Sequence, residues 1–149
     1  MRHSLRGAAF ALPVFVAILS FGCSSGSSSP GTSSTTFTEV YTTVLAKNCT
    51  NSTCHFSGAG SVSVLGALDM SSQPTAYMNL VNVKAAGVKC GTSGLTRVVP
   101  NDPSSSIMYE KVHDTVPPCG AQMPYLLPAL PADEQSLIFD WINGGAQND

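Results

Sequence analysis

Short amphipathic segments set the limits on what this chain can fold into. Apolar residues recur with helical spacing in only four stretches between residues 37 and 146, and Gly, Ser and Pro interrupt the chain between them. Helices of this length contribute little stability by themselves. We therefore predict an all-α domain of about four short helices joined by long irregular loops, whose thin core needs disulfides or a bound group at its centre.

Helix-capping residues indicate where the first two helices begin. Thr36 and Glu39 form a capping box ahead of a helix predicted over residues 37–48. Ser72 caps the second helix, and Pro74 occupies its first turn. Both helices are therefore predicted from their N-termini as well as from their apolar pattern.

The other two helices lie in the second half of the chain. The third carries Met108, which, like Met78 in the second, lies at a helical core position. The last helix begins near Pro131 and ends at Gly144. Between them, residues 116–131 contain five prolines and several apolar side chains. We expect this loop to pack on an apolar surface, since loops exposed to water are seldom so apolar.

The beginning of the chain has the pattern of a bacterial secretion signal, residues 1–22. Arg2 and Arg6 precede an apolar stretch, residues 8–21, that leads to Cys23. This stretch is too short to cross a bilayer, which takes about 20 residues in a helix. We therefore expect an exported protein, on the periplasmic or cell-surface side of a membrane.

Cys23 is the predicted site of a lipid anchor. The residues before it resemble a lipoprotein signal, and its lipidation leaves an even set of four cysteines for an oxidising compartment. Simple secretion is the alternative, because Ser20 and Gly22 also suit an ordinary signal peptidase. Residues 23–36, rich in Ser, Thr, Gly and Pro, then form a flexible tether to a single domain of residues 37–149.

The mature chain carries a net negative charge. Removal of Arg2 and Arg6 leaves five Lys and Arg against nine Asp and Glu. The sequence has no basic patch, so we expect no binding to nucleic acid.

Cys49, Cys54 and His55 form the motif with the most specific chemistry. Two cysteines with an adjoining histidine attach a c-type haem, because the thiols add to its two vinyl groups and the imidazole then faces the iron. The usual separation of the cysteines is two residues, whereas here it is four. We expect the extra residues to bulge outward, which the small polar side chains of residues 50–53 permit.

Four motifs in this chain resemble, in type and order, those of small c-type cytochrome domains of exported bacterial lipoproteins. The motifs are Cys54-His55, Arg97-Val-Val-Pro100, Cys119-Gly-Ala-Gln-Met123-Pro124 and Asp140-Trp141-Ile142. The resemblance covers residues 37–146.

The resemblance implies a site for one haem c. Cys49 and Cys54 would attach it, His55 would bind the iron from one side, and Met123 would bind it from the other. It also implies that the second ring nitrogen of His55 donates to a backbone carbonyl near Pro100. The last helix would pack across the first.

The same residues allow other arrangements. Cys49 and Cys54 could instead form a disulfide in a haem-free lipoprotein that acts as a binding or interaction module. A zinc site made of these two cysteines, His55 and a further cysteine is a third arrangement. Met123 alone could be a core residue, and His113 is a rival iron ligand in a more polar stretch.

Cys90 and Cys119 are the remaining pair, and we predict a disulfide between them. The bond would pin the loop of residues 84–96 to the loop that carries Met123. In the chain-entropy model, a bridge that closes a loop of this length contributes roughly 3 to 4 kcal/mol.

These features together predict an electron carrier rather than an enzyme. An iron with both axial positions filled offers no place for a substrate, and the sequence has no nucleophile elbow or paired acid and base carboxylates. We expect the protein to pass single electrons between exported redox proteins and to touch the membrane only through its lipid anchor.

Overall fold

The computed structural model describes residues 34–149, and the predicted signal peptide and Cys23 lie outside these residues. Helices connected by long loops make up this part of the chain, as expected for an all-α domain. Extended residues within it pair at isolated bridges, such as those between Val81 and Val98 and between Thr96 and Ser106. From residue 34 onward, no helix has the length and apolar character that a membrane crossing requires.

The first helix leads directly into the cysteine motif. It runs without a break through three parts: α1 (Phe37–Val40), a π-helical turn (Tyr41–Leu45) and α2 (Ala46–Asn48). Thr36 caps it as predicted, since its Oγ1 accepts the N–H of Glu39 at 3.1 Å. Asp149 adds a second cap, because its Oδ1 accepts the N–H of Phe37 at 2.8 Å.

The remaining helices are α3 (Gln73–Leu80), α4 (Ile107–His113) and α5 (Ala132–Asn143). Ser72 caps α3 as predicted and accepts the N–H of Thr75 at 3.3 Å. The predicted end of α5 at Gly144 is also confirmed. Capping residues therefore located these helix ends correctly.

The core lies between the first helix and α5. Phe37 and Trp141 are buried, and their ring centroids are 4.8 Å apart. Tyr77 of α3 meets the ring of Phe37 edge-on at 5.3 Å. Three helices therefore share one aromatic cluster, and the prediction that the last helix packs on the first is confirmed.

The two helical methionines differ from each other. Met108 packs partly buried against the core, as predicted. Met78 is 68% exposed, so its prediction as a core residue was wrong. The buried face of α3 is set by Ala76 and Leu80, and a helix turns about 100° per residue. Met78, two positions after Ala76, therefore points the opposite way.

Candidate functional site

The motif of Cys49, Cys54 and His55 folds into a closed turn directly after the first helix. The N–H of His55 donates to the carbonyl of Cys49 at 2.9 Å, which closes the turn at its base. Inside the turn, Oδ1 of Asn51 accepts the N–H of Thr53 at 3.1 Å. Residues 51–53 are exposed, so the extra residues bulge into solvent, as the sequence analysis anticipated.

His55 is fixed by a neighbouring stretch of chain as well as by its own turn. Its carbonyl accepts the N–H of Met70 at 3.0 Å, and its ring Nδ1 lies 3.0 Å from the carbonyl oxygen of Leu68. A carbonyl oxygen only accepts hydrogen bonds, so Nδ1 carries the proton and the lone pair of Nε2 is free. This arrangement orients the ring and leaves Nε2 as the atom that could accept a bond.

The carbonyl partner of His55 corrects one prediction. The resemblance implied a partner near Pro100, whereas the structure has Leu68 in that position. The reason is that residues 66–70 fold back along His55, as the bond from Met70 to the His55 carbonyl also shows. The kind of partner was right and its place in the chain was wrong.

The surroundings of His55 disfavour the charged form of its imidazole. Burial lowers its pKa, and the positive charges of Arg97 and Lys111 lower it further, against an opposing effect of the hydrogen bond to Leu68. Metals bind the neutral form of histidine. The site therefore favours the protonation state that a ligand needs.

The cysteines divide into a bonded pair and a free pair. Cys90 and Cys119 form the predicted disulfide, with 5.4 Å between their Cα atoms. Cys49 and Cys54 are both free and partly buried. Burial, followed by interaction with Cys54 and Glu134, raises the pKa of the Cys49 thiol to about 12. Cys49 is therefore a protonated thiol with a second thiol in its neighbourhood.

Met123 lies partly buried against the core, in a loop that Lys111 holds in two ways. The N–H of Met123 donates to the backbone carbonyl of Lys111 at 2.7 Å. The Nζ of Lys111 donates to the carbonyls of Cys119 at 2.7 Å and Ala121 at 3.0 Å. The charge of Lys111 also contributes to the lowered pKa of His55.

Gly120 makes the wrapping of this loop around Lys111 possible. Its φ of +66° lies in the left-handed region that favours glycine, and a Cβ there would lie 2.9 Å from Nζ of Lys111. A side chain at this position would therefore strain the backbone and displace the ammonium group. The residue is part of the predicted motif, but its role is visible only in the structure.

The loop that carries Met123 presents apolar side chains to solvent. Tyr125, Leu126 and Leu127 are each more than half exposed. A groove of about 370 Å³ is lined by Leu127 of this loop and by Asn51 of the bulge. Apolar surface therefore adjoins the turn that joins the two free cysteines. An apolar group that binds to this surface would be shielded from water.

His113, the rival iron ligand, is engaged elsewhere. Its ring stacks on Tyr109 with 5.0 Å between centroids, and its Nδ1 lies 2.7 Å from a carboxylate oxygen of Asp114. Half of its side chain is exposed.

The site contains residues that the sequence analysis did not single out. Arg97 was part of a matching motif but had no role assigned to it, and Lys111 gave no signal at all. Leu68 acts through its backbone carbonyl, so its side chain carries no information about this contact. Comparison with protein-family models, with curated proteins and with solved structures gives no match to this chain.

Proposed function

We propose that this domain is an exported electron-transfer protein of the c-type cytochrome class, with one haem c held by Cys49, Cys54, His55 and Met123. The observation that carries the proposal is the state of His55. Its ring has Nδ1 tied to the carbonyl of Leu68 and Nε2 free, and the unbonded thiols of Cys49 and Cys54 precede it in the same turn.

The donor set suits a haem better than a metal ion held by side chains alone. Among residues 34–149, no group of three or more His, Cys, Asp or Glu is arranged around a common point. A haem iron takes four ligands from the porphyrin, so it needs only His55 and Met123 from the protein. A zinc site would require a third cysteine, but Cys90 and Cys119 are bonded to each other.

Each residue has a defined task in this proposal. The haem supplies one-electron chemistry when it is bound, and the chain positions and insulates it. The buried guanidinium of Arg97 and the ammonium of Lys111 disfavour additional positive charge near His55, and a thioether ligand also favours the reduced state. These residues would together raise the reduction potential. The apolar side chains after Met123 would exclude water.

The cellular setting is part of the same proposal. Export and a lipid anchor at Cys23 are inferred from the sequence pattern of residues 1–36, and the partners of an exported haem protein would be other exported redox proteins. An electron carrier on a short tether could reach partners near the membrane surface without being embedded in it.

The test of the proposal is covalent attachment of haem. The full chain should be produced in a host with cytochrome c maturation and compared with the Cys49→Ala/Cys54→Ala double variant. We expect a haem absorption spectrum and a haem-stained band on a denaturing gel for the wild type, and neither for this variant. The Cys90→Ser/Cys119→Ser variant is the matched control, because it also loses two cysteines but should keep the haem.

A colourless wild-type protein would refute the electron-transfer proposal. If Cys49 and Cys54 were then found bonded to each other by peptide mapping, the haem-free binding module would be the better description. A stained band that survives in the Cys49→Ala/Cys54→Ala variant would refute the attachment residues instead.

The distal ligand needs a separate test. Oxidised haem with a methionine ligand has a weak red absorption band, which we expect in the wild type. Met123→Ala should keep the haem attached, abolish this band and lower the potential. His113→Ala should change none of these properties. A band that persists in Met123→Ala would assign the ligand to another residue.

A further inference from the structure

Arg97 is the most deeply buried cation of the described chain, with 6% of its surface exposed. Both backbone groups of Arg97 are hydrogen-bonded. Its N–H donates to the carbonyl of Val83 at 2.7 Å, and its carbonyl accepts the N–H of Met108 at 3.0 Å. The side chain forms no ion pair among residues 34–149. A buried charge without an ion pair must be compensated by hydrogen bonds. The hydrogen-bond partners of Arg97 therefore indicate what the residue does.

The guanidinium of Arg97 binds three backbone carbonyls. Its Nη1 donates to Asn79 at 2.7 Å, and its Nη2 donates to Gly66 and Ala67, both at 3.0 Å. The carbonyl of the next residue, Leu68, is the one that contacts the ring of His55. Of the three successive carbonyls of residues 66–68, the first two therefore bind the guanidinium and the third binds the imidazole.

Asn79 secures the other side of Leu68. Its side-chain Nδ2 donates to the carbonyl of Asp69 at 2.9 Å, while its own carbonyl accepts from Arg97. The carbonyls on both sides of Leu68 are therefore held by a network that starts at Arg97. The orientation of the Leu68 carbonyl follows from its neighbours.

We propose that Arg97 is a positioning residue for the proximal histidine. By binding the carbonyls of residues 66 and 67, Arg97 presents the carbonyl of Leu68 to His55. This carbonyl selects the tautomer with the proton on Nδ1 and leaves Nε2 as the metal-binding atom. The choice of tautomer is a property of the chain, and its use in binding iron rests on the proposed function.

Only arginine suits this task. Its planar fork has five N–H donors that can reach carbonyls in two directions, whereas the ammonium of lysine is a single point with three donors. Arg97→Lys keeps the charge and changes the geometry. It therefore separates positioning from electrostatics.

The first experiment measures the tautomer of His55 in the haem-free full chain at neutral pH, by ring nitrogen chemical shifts. We expect a single form, protonated on Nδ1, in the wild type. Arg97→Lys should add a population protonated on Nε2 and should weaken protection of the Nδ1 proton from exchange. The matched control is Lys84→Met, which removes an exposed cation that also binds a carbonyl, that of Gly94 at 2.8 Å. It should leave the His55 tautomer unchanged.

The second experiment uses the haem-loaded protein. A weaker hydrogen bond from Nδ1 makes the imidazole a poorer electron donor to the oxidised iron. Arg97→Lys should therefore shift the reduction potential upward, although the charge is kept. A change in folding alone would not produce this signature together with the altered tautomer.

Two results would overturn the inference. One is a folded Arg97→Lys protein whose His55 keeps a single, equally protected Nδ1–H tautomer. The other, which needs no variant, is the absence in the wild type of scalar couplings across the hydrogen bonds from Arg97 to residues 66 and 67 or from His55 to Leu68. Failure to attach haem would refute the proposed function but leave the tautomer measurement readable.

Discussion

The two sides of the candidate site are held in place by different means. On the His55 side, residues 54–70 fold back on themselves, and the ring bonds to Leu68. Hydrogen bonds from Arg97 and Asn79 hold the carbonyls on either side of Leu68. On the Met123 side, residues 116–131 are held by Lys111, 8 residues before Cys119, and by the covalent bond from Cys119 to Cys90, 29 residues away. Parts of a protein that are held by separate contacts can open separately. We therefore expect His55 to keep its geometry under changes that release Met123.

Loss of the disulfide should distinguish the Met123 side from the His55 side most strongly. Cys90→Ser/Cys119→Ser should lower the free energy of unfolding by roughly 3 to 4 kcal/mol, because the unfolded chain is no longer cross-linked. Denaturant unfolding measures this loss. The red band of the methionine-ligated haem should weaken, while the haem stays attached. An unchanged band and a loss below about 1 kcal/mol would contradict the importance of this bond for the Met123 side.

Removal of the ammonium group of Lys111 should have the next largest effect. Lys111→Met leaves the carbonyls of Cys119 and Ala121 without their donor, for which we expect about 2 kcal/mol of destabilisation. It should also lower the reduction potential, because a positive charge near His55 is removed.

Lys84→Met is the matched control for Lys111→Met, since the ammonium of Lys84 is exposed and lies in another loop. We expect a change within about 0.5 kcal/mol for this surface substitution. Equal losses for the two variants would contradict a special role of Lys111.

Gly120 offers a finer test of the same contact. Gly120→Ala and Gly94→Ala both place alanine at a positive φ, of +66° and +73°, but only a Cβ at Gly120 meets Lys111. The backbone strain is therefore similar, at about 1 to 2 kcal/mol. We expect Gly120→Ala to cost about 1 kcal/mol more and to weaken the red band, as measured by denaturant unfolding and absorption. Equal effects of the two substitutions would show that the contact with Lys111 carries no weight.

The helices could be predicted from the sequence because their capping signals are local. The disulfide could be predicted because few cysteine pairings were possible. Thr36 and Ser72 mark helix starts through their side chains, and only one pairing of Cys90 left the other cysteines free for haem. The outward bulge after Cys49 also followed from the size of its residues.

The supports of the site could not be predicted because they use backbone atoms brought together by the fold. Leu68 reaches His55 through a carbonyl, and any residue type has a carbonyl. Arg97 and Lys111 bind further carbonyls, so no partner side chain in the sequence indicates them. Met78 was misplaced because a helix as short as α3 has too few apolar positions to define its buried face.

Acid should weaken the His55 side, by a smaller amount than the substitutions above. The carboxylate of Asp69 accepts the N–H groups of Gly58 and Ser71, both at 2.9 Å. Hydrogen bonds from Ser71, and then from Gly58, hold the pKa of Asp69 below its usual value. A depressed pKa in the folded state stabilises the protein above the unfolded pKa of about 4, and this contribution is lost as pH falls through the folded value.

Asp69→Asn should therefore lower the free energy of unfolding at pH 7 by less than about 1 kcal/mol. The difference from the wild type should shrink as the pH falls below about 4. Asp140→Asn, an exposed position on α5, is the control and should behave like the wild type. A difference that stays constant down to the acid transition would contradict the assigned role of the Asp69 carboxylate.

The central claim is that a single haem is joined to both Cys49 and Cys54 despite the four residues between them. The reduced pyridine haemochrome spectrum tests it directly, because the position of its α band depends on how many vinyl groups have become thioethers. We predict the band of a haem with two thioether bonds for the wild type and of one with a single bond for Cys49→Ala. A wild-type band typical of intact vinyl groups, or haem that is extracted into acidic organic solvent, would contradict the account.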